Sequence, residues 1–366
     1  MDEEVGMDGA RAIDLSMLTG NRMINLDSEE EGIFLTSCAG GARVKCRLPL
    51  SLQESEGTTY KVTVGGLMGG HSGGEIHKER GNSNCLFGRL LKTVSDRIPI
   101  RLCEVKGGLA DNASPRETTA LLVVEEKDCT AFAEILSKVE KDIKGELVTK
   151  DPDFYIKAEV ICSDEKADSG KKHCCVSVAD TKKAADFLAA MPVGVQAMSA
   201  DMPGLVETSL NMGILEFDGE EEGALTGCPA PENGDKKAVL LAEFSVRSSV
   251  ESAKYALIDK LHAITELAGG SNEVTGDYPG WAYRKDSPLR DKMVALYKKM
   301  YGAEPKVEAI HAGLECGILG SKIRDLDCVS IGPRMTAIHT TEETLSISST
   351  RRVWEYLVAL LEEKDA

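Results

Sequence analysis

Residues 60–98 have the sequence YKVTVGGLMGGHSGGEIHKERGNSNCLFGRLLKTVSDRI, and this stretch carries the clearest structural signals in the chain. Its first residues alternate between apolar and polar side chains, which favours a β-strand over 60–67. Its last third favours an amphipathic helix, because apolar side chains recur at helical spacing. They are Leu86, Phe87, Leu90, Leu91, Val94 and Ile98. The stretch therefore predicts a strand, a glycine-rich loop and a helix in succession.

The same alternation of strands and helices extends on both sides, from about Arg43 to Ala268. Repeated strand and helix units of this kind predict an α+β module of two layers, with helices covering one face of a sheet. The further strands are predicted over residues 120–126, 154–162, 175–178, 205–214 and 238–246, and the further helices over 132–143, 184–191 and 253–267.

The two ends of the chain have a different pattern. An apolar run ends at Asp27, and another run over 328–331 precedes the loop that carries His339. Ser287 and Pro288 indicate a helix start and Gly302 a helix end, and a last helix is predicted over 352–361. We therefore predict that both ends form one α/β domain and that the middle of the chain is an insertion.

Charge and composition limit the classes of partner. The chain has 366 residues, with 43 basic and 60 acidic side chains and a formal net charge of −17. This charge disfavours nucleic acids and anionic membranes, because both are negatively charged. We find no apolar run of signal-peptide or membrane-spanning length. We therefore expect a cytoplasmic protein that binds small molecules or peptides, with no nucleic acid and no membrane as partner.

Eleven cysteines are scattered through the chain without a C-x-x-C spacing, which argues against a disulfide framework or a zinc ribbon. We predict that they are reduced thiols. Cys174 and Cys175 are predicted to be strand residues rather than metal ligands, because no second pair accompanies them.

Four residues near the predicted strand ends are candidates for metal chemistry: Glu3, Glu4, Asp27 and His339. Carboxylates and imidazoles suit Zn²⁺, Mn²⁺ or Co²⁺, and adjacent acids can divide the roles of metal ligand and general base. The residues alone leave another interpretation open, in which the acidic pair is a solvated chain end and His339 lies on the surface.

Residues 69–75, GGHSGGE, surround His71 with glycines, which let the backbone approach a ligand closely. The segment also fits G-x-S-x-G, so a hydrolase with Ser72 as nucleophile is an alternative. That motif requires a helix at the nucleophile, whereas the next helix is predicted to begin only near Ser83.

Three other segments carry polar residues that could meet a ligand. Asn112 begins a proline turn, and residues 311–317 form a glycine-punctuated loop that contains His311 and Glu315. Arg247 ends a predicted strand, where it is either a surface charge or a residue that binds a carboxylate through bidentate hydrogen bonds.

Six segments, taken in order, carry a family resemblance. They are residues 2–10, 26–32, 69–76, 112–117, 311–317 and 331–339. Together they resemble the aminoacyl-histidine dipeptidases, which belong with the carnosinases to the M20 metallopeptidases. The resemblance covers essentially all 366 residues, and several motifs in the same order are far more specific than any one of them.

The resemblance implies a zinc-peptidase-like α/β catalytic domain, residues 1–42 and 271–366, interrupted by an α+β two-layer lid and dimerisation domain, residues 43–270. It implies Xaa-His dipeptides of the β-Ala-His type as substrates and a homodimer formed through the lid. It also implies two zinc ions in a complete active site, with Mn²⁺ or Co²⁺ as alternatives.

The resemblance also implies roles for the candidate residues of the catalytic domain. Glu3 would be the general base that activates a water between the metals. Glu4 would bind one metal and Asp27 the other, and His339 would complete the first site. Glu315 would meet the dipeptide.

The residues of the lid would act on the substrate. By resemblance, His71 would reach the partner subunit's active site and stabilise the oxyanion, while Arg247 and Asn112 would hold the substrate.

One difference from the family concerns the metal ligands. The family has an H-x-D motif and then a bridging aspartate upstream of the Glu-Glu pair, whereas none of the six histidines here is followed by x-Asp. We therefore expect a catalytic domain that is incomplete at its N-terminus. A working metallodipeptidase and an inactive homologue that binds peptides or dimerises stay open as interpretations. Smaller differences at Ser114, Arg324 and Thr341 affect turns more than ligands.

Overall fold

The computed structural model describes residues 7–16, 18–161, 173–217, 237–338 and 342–363. Within these ranges the protein has a mixed α/β fold, as the sequence predicts. None of the described helices is both long and apolar enough to cross a membrane. The helices are α1 (Asp8–Ala12), α2 (Ser83–Ser95), α3 (Cys129–Leu147), α4 (Val178–Ala190), α5 (Glu251–Leu267), α6 (Pro288–Tyr301), α7 (Glu315–Lys322) and α8 (Ile347–Glu362), with short 3₁₀ turns at Ile76–Lys78 and Glu126–Asp128. The strands are β1 (Arg22–Asn25), β2 (Ile33–Cys38), β3 (Gly40–Ser55), β4 (Thr58–Gly65), β5 (Gly70–His71), β6 (Ile100–Gly107), β7 (Ala113–Ser114), β8 (Thr118–Val124), β9 (Tyr155–Val160), β10 (His173–Val176), β11 (Gly194–Met198), β12 (Val206–Phe217), β13 (Lys237–Ser248), β14 (Ser271–Tyr278), β15 (Lys306–Ile310), β16 (Asp327–Ser330), β17 (Met335–Thr336) and β18 (Thr344–Leu345).

The smaller of the two main sheets takes strands from both ends of the chain, in the order β1, β16, β2, β15. β1 runs parallel to β16, so the residues that follow these two strands lie at the same edge of the sheet. There the Ser28 N–H donates to the carbonyl of Ile331 (3.2 Å). α6 and α8 pack against this sheet around one apolar core. Its buried members are Phe34, Leu289, Met293, Leu296, Val329, Ile331, Tyr356 and Leu360.

The ends of α6 agree with the sequence prediction. The Ser287 hydroxyl accepts the Arg290 N–H (3.1 Å), which satisfies one of the unpaired donors of the first turn. Asp327, the first residue of β16, accepts the Leu289 N–H (2.9 Å) and so joins the helix to the sheet. Gly302 ends α6 in the left-handed conformation, with φ of 74°.

In the part of the chain that the structure describes, the larger sheet contains ten strands, with the order β10, β3, β13, β12, β6, β8, β4, β9, and with β11 beside β12 and β14 beside β3. Its strands pair antiparallel. Helices α2, α3, α4 and α5 contribute buried side chains to the core of this sheet. The strands predicted over 60–67, 120–126, 205–214 and 238–246 are confirmed as β4, β8, β12 and β13.

The division into residues 1–42, 43–270 and 271–366 stays a prediction. The larger sheet takes its strands from the chain between β3 and β14, without β5 and β7, and β14 pairs with β3 although residues 271–278 fall in the predicted catalytic domain. The two parts of the chain meet where Cys38 and Trp281 form an isolated antiparallel bridge.

Two predictions about the cysteine-rich region need correction. The strand predicted over 175–178 ends at Val176, because the Ser177 hydroxyl accepts the Asp180 N–H (3.0 Å) and caps α4. The prediction that all cysteines are reduced is wrong for Cys103 and Cys175, which form a disulfide between β6 and β10. The two positions are 72 residues apart, so their spacing gave no signal. The strand assignment of Cys174 and Cys175 is confirmed.

Candidate active site

Two of the predicted loops form a small two-stranded sheet. β5 pairs with β7, with His71 opposite Ala113. The next residue continues the contact, because the Ser72 N–H donates to the Asn112 carbonyl (2.8 Å). The structure thus brings the glycine-rich loop and the Asn112 turn together, with Asn112 itself exposed.

The ring of His71 is oriented by its own loop. Its Nδ1 accepts the backbone N–H groups of Gly73 (3.2 Å) and Gly74 (3.0 Å). Loss of hydration, followed by the nearby Arg247 guanidinium, lowers the pKa of His71, and Glu75 opposes this shift. The ring is therefore neutral at pH 7, and with Nδ1 as an acceptor its proton lies on Nε2. This leaves the Nε2–H group available as a hydrogen-bond donor.

Arg247 and His311 form the buried part of the site. Arg247 lies in β13 opposite Ser209 of β12, and the Ser209 hydroxyl hydrogen-bonds to His311 Nε2 (2.7 Å). One nitrogen of the Arg247 side chain donates to the Tyr278 hydroxyl (3.4 Å). Burial, together with Arg247, lowers the pKa of His311 to about 4, so this imidazole is neutral at pH 7.

Gly73 shows how closely these residues converge. A Cβ atom at this position would lie 2.5 Å from the His311 carbonyl oxygen, 3.1 Å from His71 Cε1 and 3.3 Å from Arg247 Nε. The glycine therefore permits an approach that a larger residue would block. The loop 71–74, the end of β13 and the loop after β15 meet at this point.

The other described candidates lie at the edge of the smaller sheet. Asp27 follows β1 and is exposed, and its N–H donates to Asn25 Oδ1 (3.0 Å). The Asn25 amide also donates to the carboxylate of Glu315 (3.4 Å), the first residue of α7. The structure thus brings Asp27, which follows β1, and Glu315, which begins α7, into contact with one asparagine.

Glu3, Glu4 and His339 lie outside the described residues. The chain that flanks them contacts the same loops. The Met335 N–H donates to the Glu29 carbonyl (2.8 Å), and a Cβ at Gly313 would lie 2.9 Å from the methyl carbon of Met7. Among the described ranges no group of three or more His, Cys, Asp and Glu side chains is placed to hold a metal ion. Asp27 is the described member of the predicted ligand set, and its exposed carboxylate fits a divalent cation.

The sequence left one contact of the site unassigned and one alternative open. His311 was visible as an imidazole in a glycine-punctuated loop, but its contact with Ser209 had no sequence signal. The alternative was Ser72 as a nucleophile, and it does not meet the requirement of an elbow: α2 begins only at Ser83, and the buried Ser72 hydroxyl has no hydrogen-bond partner within the described ranges.

Comparison with known proteins places this chain in a family. Models of protein families give no match. The chain is 33% identical over 365 residues to the cytosol non-specific dipeptidase of Escherichia coli (strain K12), a match that covers 99% of this chain and 70% of that protein. The solved structure of aminoacylhistidine dipeptidase from Vibrio alginolyticus matches with a TM-score of 0.85 and 32% identity, over 100% of this chain and 70% of that chain.

A more distant solved structure shares the fold. Aminopeptidase PepT from Bacillus cereus ATCC 10987 matches with a TM-score of 0.51 and 15% identity, over 99% of this chain and 62% of that chain. The mixed α/β fold and the extent of these matches define an M20-type peptidase fold. The chain belongs to the aminoacyl-histidine dipeptidases of the M20 metallopeptidase family.

Proposed function

We propose that this protein is a metal-dependent dipeptidase that hydrolyses Xaa-His dipeptides of the β-Ala-His type. The observation that carries the proposal is the convergence of His71, Arg247 and the 311–317 loop around Gly73, in a chain that is 33% identical to a dipeptidase. The His71 imidazole and the Arg247 guanidinium are two hydrogen-bond donors that meet at one point, which suits the binding of a peptide carbonyl and carboxylate. The alternative of an inactive peptide-binding homologue is not favoured, because the most extensive matches are dipeptidases.

Glu4, Asp27 and His339 would hold two metal ions, zinc or alternatively Mn²⁺ or Co²⁺, and Glu3 would be the general base. Such ions, when bound, lower the pKa of water toward neutrality and polarise a peptide carbonyl. Glu3 would then accept the proton from the attacking water and pass it to the leaving amine, which requires a carboxylate but no covalent nucleophile.

The remaining candidates would bind the substrate. The His71 Nε2–H group would donate to the developing oxyanion, since its Nδ1 is already used by two backbone N–H groups. Arg247 would bind the substrate carboxylate and Asn112 a polar group of the peptide. Glu315 would face the dipeptide amine, for which a carboxylate is the complementary group.

Dimerisation through the lid and a cytoplasmic location are parts of the same proposal. In one arrangement, a dimer, His71 would serve the partner subunit's active site. In the other, His71 would serve its own chain, where Gly73 lies against both His71 and Arg247. Two measurements separate these arrangements. Light scattering gives the oligomeric state, and mixing His71→Ala chains with Arg247→Met chains shows whether activity is restored. Restored activity requires a site shared between subunits.

Ser72→Ala is expected to keep the rate of dipeptide hydrolysis within about tenfold of the unchanged protein, because one neutral hydrogen-bonding group is worth about 0.5–1.5 kcal/mol. Removal of a serine nucleophile instead costs about 10⁶-fold in kcat. Steady-state kinetics with β-Ala-His make the comparison. A loss of about 10⁶-fold in kcat would restore the serine-hydrolase interpretation.

The proposed function is tested by hydrolysis of β-Ala-His and a set of α-dipeptides in the presence of Zn²⁺. Asp27→Asn, which weakens one ligand of the proposed metal site, is expected to lower both the bound zinc and the rate by at least about tenfold. Asp14→Asn is the matched control, because Asp14 is exposed and its carboxylate accepts a local hydrogen bond from the N–H of Ser16. Equal rates for Asp27→Asn and the control would contradict the metal role of Asp27.

A further inference from the structure

Three residues that meet at or beside Gly73 each have a buried polar atom for which the described part of the chain offers no hydrogen-bond partner. The atoms are Ser72 Oγ, Arg247 Nε and His311 Nδ1, and the residues are 2%, 9% and 6% exposed. Burial of an unpaired polar atom is costly, and such atoms are rare in folded proteins. Three such atoms, in residues that converge on one glycine, indicate a site that is completed by a ligand.

The chemistry of the three atoms selects the charge of that ligand. Arg247 Nε can only donate a hydrogen bond, and a hydroxyl can donate. The Ser209 hydroxyl, 2.7 Å from His311 Nε2, can donate to this nitrogen and so leave the imidazole proton on Nδ1. All three atoms then act as donors, and the guanidinium adds a positive charge. The matching ligand is an anion that only accepts hydrogen bonds, as a carboxylate does.

We propose that His311 is a second residue, beside Arg247, that binds the free C-terminal carboxylate of the dipeptide, and that Ser209 orients its imidazole for this contact. The inference rests on the proposed dipeptidase function and adds a specificity determinant to it. The site therefore discriminates a free dipeptide from its C-terminal amide, because an amide nitrogen cannot accept from donors that face the carboxylate.

A purely structural role for His311 makes a different prediction. Ser209 lies in β12 and His311 in the loop after β15, so their hydrogen bond also joins the larger sheet to the loop before α7. If this connection were the whole role, loss of the imidazole would weaken the binding of free and amidated ligands equally. The ratio between the two ligands is therefore the informative quantity.

The experiment measures binding of a hydrolysis-resistant analogue of β-Ala-His, in which CH₂–NH replaces the peptide bond, and of its C-terminal amide, by calorimetry on the zinc-loaded protein. His311→Ala is expected to weaken binding of the free acid at least about tenfold and binding of the amide less than about threefold. His311→Asn, which keeps an amide donor close to the Nδ1 position, is expected to restore part of the difference. It also keeps the test valid if His311→Ala does not fold.

His262→Ala is the matched control, because His262 also has an unpaired buried ring nitrogen but lies in α5. This variant is expected to leave the ratio of the two affinities unchanged. Equal losses for acid and amide in His311→Ala, or an unchanged affinity for both, would overturn the proposal. Absence of hydrolysis of β-Ala-His by the unchanged protein, with the acid still preferred over the amide, would instead reject the proposed function and keep the carboxylate site.

Discussion

Arg247→Met is expected to lower kcat/KM for β-Ala-His by about 30- to 5000-fold, mainly through KM. This range corresponds to the roughly 2–5 kcal/mol lost when one partner of a buried, charged hydrogen bond is removed. Arg247 is buried, and although one of its terminal nitrogens donates to Tyr278, its Nε has no partner among the described residues and is left for a ligand. Steady-state kinetics over a wide range of dipeptide concentrations check the expected split between KM and kcat.

Arg290→Met is the matched control for this substitution. Arg290 has the same exposure of 9%, but its guanidinium donates to the backbone carbonyls of Arg284 and Lys285. The control is expected to lower the free energy of unfolding with little change in KM for the active fraction. If both variants raised KM equally, or if Arg247→Met left KM unchanged, Arg247 would not bind the substrate carboxylate.

Glu3→Gln is expected to lower kcat by about 10²- to 10⁴-fold, the usual contribution of a general base. The amide keeps the shape of the side chain but cannot accept the proton from water. Zinc content and KM are expected to stay close to those of the unchanged protein, since the proposed ligands are Glu4, Asp27 and His339. Kinetics and metal analysis of the same preparation check both expectations.

Glu30→Gln controls for the loss of one carboxylate from this acidic protein. Glu30 is exposed and follows Asp27 by three residues, without a proposed role. A Glu3→Gln rate within about threefold of that control would contradict the general-base role. A loss of rate that is matched by a loss of zinc would instead make Glu3 a metal ligand.

Local structure could be predicted because its causes are local. The start of α6 depends on a serine cap followed by proline, and its end depends on a glycine in the left-handed conformation, and both signals lie within a few residues of the boundary. The apolar spacing over residues 86–98 likewise predicted α2. The prediction failed at residues 175–178, where three apolar residues favoured a strand but Ser177 between them capped a helix instead.

The composition of the site could be predicted only in part. The sequence identified the two glycine-punctuated loops and Arg247 as candidates, but it could not show that they meet at Gly73. That meeting depends on the pairing of β12 with β13 and on the contact between Ser209 and His311, which are 102 residues apart. Periodicity carries no information about contacts over such distances, so the role of His311 was not predicted. The metal ligands Glu4 and His339 stay predictions that rest on family membership.

The most direct test of metal-dependent dipeptide hydrolysis is the release of histidine from β-Ala-His by the purified chain, measured with Zn²⁺, then with excess o-phenanthroline, then after zinc is restored. We expect turnover that the chelator abolishes and that added Zn²⁺ or Mn²⁺ recovers, because the proposed chemistry requires metal ions at Glu4, Asp27 and His339. Turnover that persists in the chelator, or no turnover with Zn²⁺, Mn²⁺ or Co²⁺, would contradict the proposed function.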